Sequence, residues 1–205
     1  SGRETSMRAH SAKTHSSRAM RPARPPRPLG VILAAAWEGR GGELALSNSA
    51  GGVSLSATDL SAAVSTFGTS LALRLGPPAA GTPRLIGLAL TGAAWAVAAL
   101  ACWSAGCAWA ALEPGADVAG LGLAAVVAPG PGSGQGLDLP APAGLPTIHL
   151  PPGFPGAPCQ GDVAPQPPPW WWPAPPPAAF CYALPTSGSS GPAPRWVRGT
   201  WGGVA

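Results

Sequence analysis

From Leu85 to Leu112 the chain runs 28 residues without one charged side chain. So long an apolar run must be kept from water by something, either a lipid bilayer or the rest of the protein, and this choice constrains every other reading. Thr82 and Pro83 precede the run as a helix N-cap followed by Pro at the first helical position. Glu113, Pro114 and Gly115 close it with residues that stop helices. A single helix over about 84–112 is the expectation, roughly 42 Å long at 1.5 Å per residue. About 20 residues suffice to cross a bilayer core. The composition of the run makes insertion marginal. Seven of its residues are Leu, Ile or Val and eleven are Ala. Those seven contribute roughly −2 to −4 kcal/mol on the insertion scale, and Gly87, Thr91, Gly92, Ser104 and Gly106 oppose them.

A buried Ala-rich helix in a soluble chain is the competing reading, and it needs cover from elsewhere. The rest of the chain offers little. Ala, Gly and Pro supply 41, 29 and 28 of the 205 residues, while Leu, Val, Ile and Phe supply 37. That is about 18%, below the roughly 20% at which a packed core becomes doubtful. Small residues gain little on burial, yet each ordered backbone unit costs about 1–2 kcal/mol. The expected fold is therefore a mostly disordered, low-complexity chain with one long apolar helix and no compact globular unit. Lys13, Asn48 and Tyr182 are each the sole residue of their type. This skew toward residues with GC-rich codons is also what a translated frame without selected function would show.

Four stretches follow from the changes in composition. Residues 1–28 form a basic tail with seven Lys or Arg and one acid, Glu4. Residues 29–80 form a weakly structured, Gly- and Ser-containing segment. Residues 81–128 form the apolar helical, membrane-spanning segment, in which Val118 to Ala128 is too short to cross and would lie at an interface or pack back on the helix. Residues 129–205 form a Pro- and Gly-rich tail holding 20 of the 28 prolines. A short helix is expected over about 57–72. Leu60, Val64, Phe67 and Leu71 share one helical face, and Ser56 with Asp59 reads as a capping box. Gly68 and several Ser, Thr and Val residues weaken it.

Charge sets orientation and excludes some partners. Arg74 and Arg84 lie on the N-terminal side of the apolar run, and none lies within about 20 residues on the other side, so the positive-inside rule places the N-terminus in the cytoplasm. The Arg- and Ser-rich tail has the composition of an organelle-targeting segment, although a solvated basic tail accounts for it as well. It lacks aromatic residues to stack on bases, so nucleic acid is not an expected partner.

No catalytic constellation emerges. Gly120 to Ala125 matches the dinucleotide-binding pattern by letter, but a helix-breaking Pro114-Gly115 precedes it and Pro129 follows at once. Gly130 to Gly136 has no Lys and reads as a linker. Cys102, Cys107, Cys159 and Cys181 lack zinc spacing. Cys102 and Cys107 would lie about 140° apart on one continuous helix, too far round to meet. Cys159 and Cys181 could pair in an oxidising compartment. Trp109 in the apolar run and Trp170, Trp171 and Trp172 in the tail are expected at a membrane interface. Pro165 to Pro177 favours polyproline II and carries the spacing that Pro-motif-reading domains bind. The function these features suggest is a single-pass membrane anchor or tether presenting a Pro-rich tail, without enzymatic activity, cofactor or metal. The alternative is a soluble, largely disordered interaction segment.

Overall fold

The computed structural model describes residues 39–49, 52–76, 82–114, 118–130, 137, 144–156, 178–186 and 195–203. Strands β1 (Leu44–Asn48) and β2 (Val53–Ser56) form an antiparallel hairpin. Ser56 ends β2 and begins helix α1 (Ala57–Leu75), because its hydroxyl accepts the Asp59 backbone N–H at 3.2 Å while the Asp59 carboxylate accepts the Ser56 N–H at 3.3 Å. This reciprocal box satisfies backbone donors that the first turn leaves unpaired, and it places an acid at the positive end of the helix. Leu60, Val64, Phe67 and Leu71 are all buried, so the four-residue stripe is the inner face of α1. A helix thus occupies the 57–72 stretch and continues one turn further, to Gly76 at φ 68°.

The charge-free run is not one helix. It folds as strand β3 (Leu85–Leu88), helix α2 (Gly92–Ser104) and strand β4 (Ala108–Ala111). Glycines at positive φ mark both reversals, Gly92 at 59° and Gly106 at 68°, where residues with a Cβ are disfavoured. Strands β5 (Ala125–Ala128), β6 (Thr147–His149), β7 (Phe180–Thr186) and β8 (Arg195–Thr200) complete a six-stranded sheet in the order β6-β5-β3-β4-β7-β8. The first five in that order run parallel, and β8 returns antiparallel to β7. The short 3-10 turn Trp201–Gly203 follows.

Side chains alternate between two buried faces, as the two-residue period of a strand requires. Ile86, Leu88, Trp109, Ala125, Val127 and Ile148 face the core formed with α1 and α2. Leu85, Ala108, Ala110, Val126 and Ala183 face the other side, covered by Leu112, Leu121 and Leu123. Parallel strands buried on both faces read as continuous apolar sequence, which is why the run carries no charge.

These observations overturn several expectations. No helix among the described residues is long and apolar enough to cross a membrane. The 13 residues of α2 reach only about 20 Å, against a hydrocarbon core of about 30 Å. The membrane placement with a cytoplasmic N-terminus, and the membrane character of the 84–112 segment, rested on that helix and fall with it. The expectation of a mostly disordered chain without a compact fold is likewise corrected by the mixed sheet and its two cores. Part of the segment expected at an interface, Ala125 to Ala128, is β5. Low large-apolar content proved compatible with packing because alanines in β4 let neighbouring leucines approach the sheet, while Trp109 supplies bulk on the opposite face. The basic tail and the Pro165 to Pro177 motif lie outside the described residues.

Candidate functional site at the carboxyl edge of the sheet

All five parallel strands end on one edge. The chain leaves β3 toward β4 on one side, then crosses back to β5 on the other. In open α/β sheets the crevice outside the carboxyl ends at such a reversal is where ligands bind. Backbone hydrogen bonds hold this edge together. Ala89 N–H donates to the Val127 carbonyl at 2.9 Å, Leu112 N–H to Leu88 at 3.0 Å, and Leu150 N–H to Ala128 at 3.0 Å. Gly130 lies so close to the Leu150 carbonyl that a Cβ there would sit 2.7 Å from its oxygen.

Four polar side chains reach the edge from different elements. Asn48, at the end of β1, packs its amide against Gly92, whose missing Cβ makes room for it. Thr91 is the N-cap residue of α2. Glu113 follows β4 and is exposed. His149 ends β6 and is exposed, with Nδ1 3.0 Å from the Pro129 carbonyl. A carbonyl only accepts, so Nδ1 carries the proton in that contact and Nε2 of the neutral ring is the acceptor. The start of α2 adds backbone N–H groups and the positive end of the helix dipole, which favour anionic groups. This arrangement is suited to orienting a polar or anionic ligand. Burial pushes the Cys107 thiol up to about 11, partly offset by the Arg84 charge. Burial likewise holds Cys102 well above its usual range, with the nearby Cys107 adding to the effect, and raises Cys181. Among the described residues no group of three His, Cys, Asp or Glu could hold a metal ion.

The residues singled out from sequence lie elsewhere. Trp109 is not at an interface but buried in β4, with its ring stacked on Tyr182 at 5.5 Å and edge-on to Trp95 at 5.2 Å. Trp103 tilts against Trp109 and Trp201 and donates its indole N–H to the Cys181 carbonyl at 3.0 Å. Cys181 is fully buried on β7, and Cys159, its suggested partner, lies outside the described residues. Trp170, Trp171 and Trp172 also lie outside them. Gly120 and Gly122 fall just before β5 rather than between a strand and a helix, so the dinucleotide pattern has no structural counterpart. Asn48, Thr91, Glu113 and His149 carried no sequence signal of their own, because only the sheet topology brings their elements to one edge.

No family model matches the chain, and no curated protein matches it. Solved structures do. The nonribosomal peptide synthetase FmoA3 in its alpha-methyl-L-serine-AMP bound form aligns with 88% of this chain and 19% of its own, at TM-score 0.59 and 17% identity. The Klebsiella oxytoca NpsA N-terminal subdomain in complex with 3-hydroxybenzoyl-AMSN aligns over 84% of this chain and 41% of its own, at 0.58 and 11%. An E. coli MenE variant with bound OSB-AMS covers 83% of this chain and 34% of its own, at 0.52 and 17%. The chain therefore spans roughly a fifth to two fifths of the structures it resembles. At these identities the likeness shows the fold alone. A non-catalytic membrane tether was the expectation, and both the compact α/β fold shared with the solved synthetase and the lack of a spanning helix among the described residues correct it.

Proposed function

We propose that this chain forms a sheet-bearing lobe of an adenylate-forming enzyme and that the carboxyl edge of its parallel strands faces the adenylate. In that chemistry a carboxylate oxygen attacks the α-phosphorus of ATP. A bond forms between them, the bond to the bridging oxygen of the β-phosphate breaks, and pyrophosphate leaves behind an acyl-AMP. The observation carrying the reading is the sheet itself, five parallel strands and an antiparallel edge, aligned over 80% or more of the chain with enzymes solved with an acyl-AMP, or with methylmalonyl-CoA and AMP. This chain's own part is positioning. The first turn of α2 and Thr91 favour a negatively charged group, Asn48 supplies a donor beside it, and His149 supplies an acceptor two strands away on the same edge. Groups beyond this span would complete the reaction site, since the chain spans 19% of the FmoA3 chain it matches.

Thermal denaturation of the chain with AMP and with a panel of acyl-sulfamoyl adenosines tests the proposal. A ligand bound only by the folded state stabilises it by about 2.7 kcal/mol at one hundred times its dissociation constant. A rise in melting temperature is expected with at least one adenosine compound, and it should diminish in Thr91→Val. Absence of any shift at millimolar concentrations, in a chain that melts cooperatively, overturns the reading.

A further inference from the structure

The geometry points to a dithiol at Cys102 and Cys107 that, we propose, closes to a disulfide by exchange with a low-molecular-weight disulfide such as oxidised glutathione. The two residues sit five apart at the junction of α2 and β4, where a continuous helix would keep them on different faces. The helix does not continue. Gly106 adopts φ 68°, its N–H donates to the Trp103 carbonyl at 3.0 Å, and the Cys107 N–H donates to the Cys102 carbonyl at 2.8 Å. This pair of bonds is the Schellman closure, in which the residue after the left-handed glycine folds back over the residue five positions before it, and a contact between their side chains frequently accompanies it. A disulfide asks for α-carbons about 4.4–6.8 Å apart, and the backbone bond from Cys107 to Cys102 holds the two residues as neighbours. Both side chains belong to the same buried cluster.

What the turn supplies is proximity without further chain closure. Cys107 is the more exposed residue of the pair, at 4% against 0% for Cys102. Its thiolate attacks one sulfur of oxidised glutathione, and the first glutathione thiolate leaves, giving a mixed disulfide. The Cys102 thiolate then attacks the Cys107 sulfur, and the second glutathione thiolate leaves. The protein loses two electrons and two protons, and one glutathione disulfide becomes two glutathione thiols. The bridge would clamp the end of α2 to the start of β4, on the sheet edge opposite the candidate site.

Equilibration of the full chain in glutathione redox buffers, followed by acid quench, alkylation and chymotryptic mapping, measures the exchange. Cleavage after Trp103 leaves the two cysteines on separate peptides unless a disulfide joins them. The Cys102–Cys107 bridge is expected to form with an effective thiol concentration at least tenfold higher in the native chain than in 6 M guanidinium chloride. In Cys102→Ala, Cys107 should instead stop at the glutathione adduct. An effective concentration no higher in the native chain than in the unfolded one, or native cysteines that stay reduced where the unfolded pair oxidises, overturns the proposal.

Discussion

Gly68 sets how closely the two helices approach. A Cβ there would overlap the Ser104 hydroxyl and lie 3.2 Å from the Ala101 carbonyl oxygen, so α1 and α2 cross backbone to backbone at this point. Helix propensity alone favours Ala over Gly by about 1 kcal/mol. Crowding reverses the sign: Gly68→Ala should destabilise the chain by about 1–3 kcal/mol in urea unfolding. Because the nearest obstacle is a side chain, Ser104→Ala in the same chain should restore part of the loss. The thiols set a second residue-scale property. Burial raises Cys107 from the ordinary 9.0 to about 11 and raises Cys102 in the same direction. A raised value means that the folded state holds its protons where the unfolded chain has released them. Stability is therefore full below about pH 9 and declines as pH rises from 9 through 11. Cys107 alone accounts for a loss of about 2–3 kcal/mol. Urea midpoints at pH 8, 9, 10 and 11 check this, and Cys107→Ala should flatten the decline.

At the scale of elements, α1 is held at both ends. Its capping box satisfies the first turn. Arg84, just before β3, donates to the carbonyls of Leu75 and Gly76, which the last turn leaves without helical partners. Losing the Ser56 hydroxyl should cost about 0.5–2 kcal/mol, measured as a fall in the urea midpoint of Ser56→Ala, while Ser56→Thr should retain most of it. Arg84 does more than cap. Its own carbonyl accepts the Ala108 N–H at 2.8 Å, so one residue ties the end of α1 to the first hydrogen bond between β3 and β4. The crossover β3–α2–β4 is thereby locked to α1 at the amino edge of the sheet. At the opposite edge, Asn48 from the hairpin rests on Gly92, and the start of α2 is fixed where the candidate site lies.

Across the whole molecule, the aromatic cluster joins parts that are distant in sequence. Trp95 and Trp103 from α2, Trp109 from β4, Tyr182 from β7 and Trp201 after β8 form one chain of ring contacts between 5.2 and 6.4 Å. In a core rich in alanine, these rings supply much of the volume. Trp109→Ala should cost about 3–5 kcal/mol, a large part of the roughly 5–15 kcal/mol typical of a domain. The Trp109 indole N–H is buried without a hydrogen-bond partner, so Trp109→Phe removes an unsatisfied donor along with part of the ring and should cost clearly less than Trp109→Ala. Equilibrium unfolding followed by tryptophan fluorescence and far-ultraviolet circular dichroism is expected to give coincident transitions in the parent chain, because the cluster couples the crossover to the C-terminal hairpin.

Local signals were legible without the structure where the cause was local. The capping box at Ser56 and Asp59, the buried stripe of α1 and the burial of most of Leu85 to Leu112 all depend on neighbours in sequence, and all are present. What covers the apolar run was not legible. A strand–helix–strand unit whose strands are buried on both faces and a bilayer span both ask for some 28 uncharged residues, and the difference lies in two backbone reversals. Gly92 and Gly106 allow those reversals but do not demand them, since glycine is also found within membrane helices. Gly68 read as a weakness of α1 because its benefit exists only against Ala101 and Ser104 on a second helix. The candidate site was hidden for the same reason. Asn48, Thr91, Glu113 and His149 share an edge only after parallel pairing brings β3, β4, β5 and β6 into register and the hairpin docks on α2. The sequence alone determined that this segment must be dry. Tertiary structure decided that protein rather than lipid covers it, because chain reversal at two glycines lets α1, α2 and the second face of the sheet bury one another.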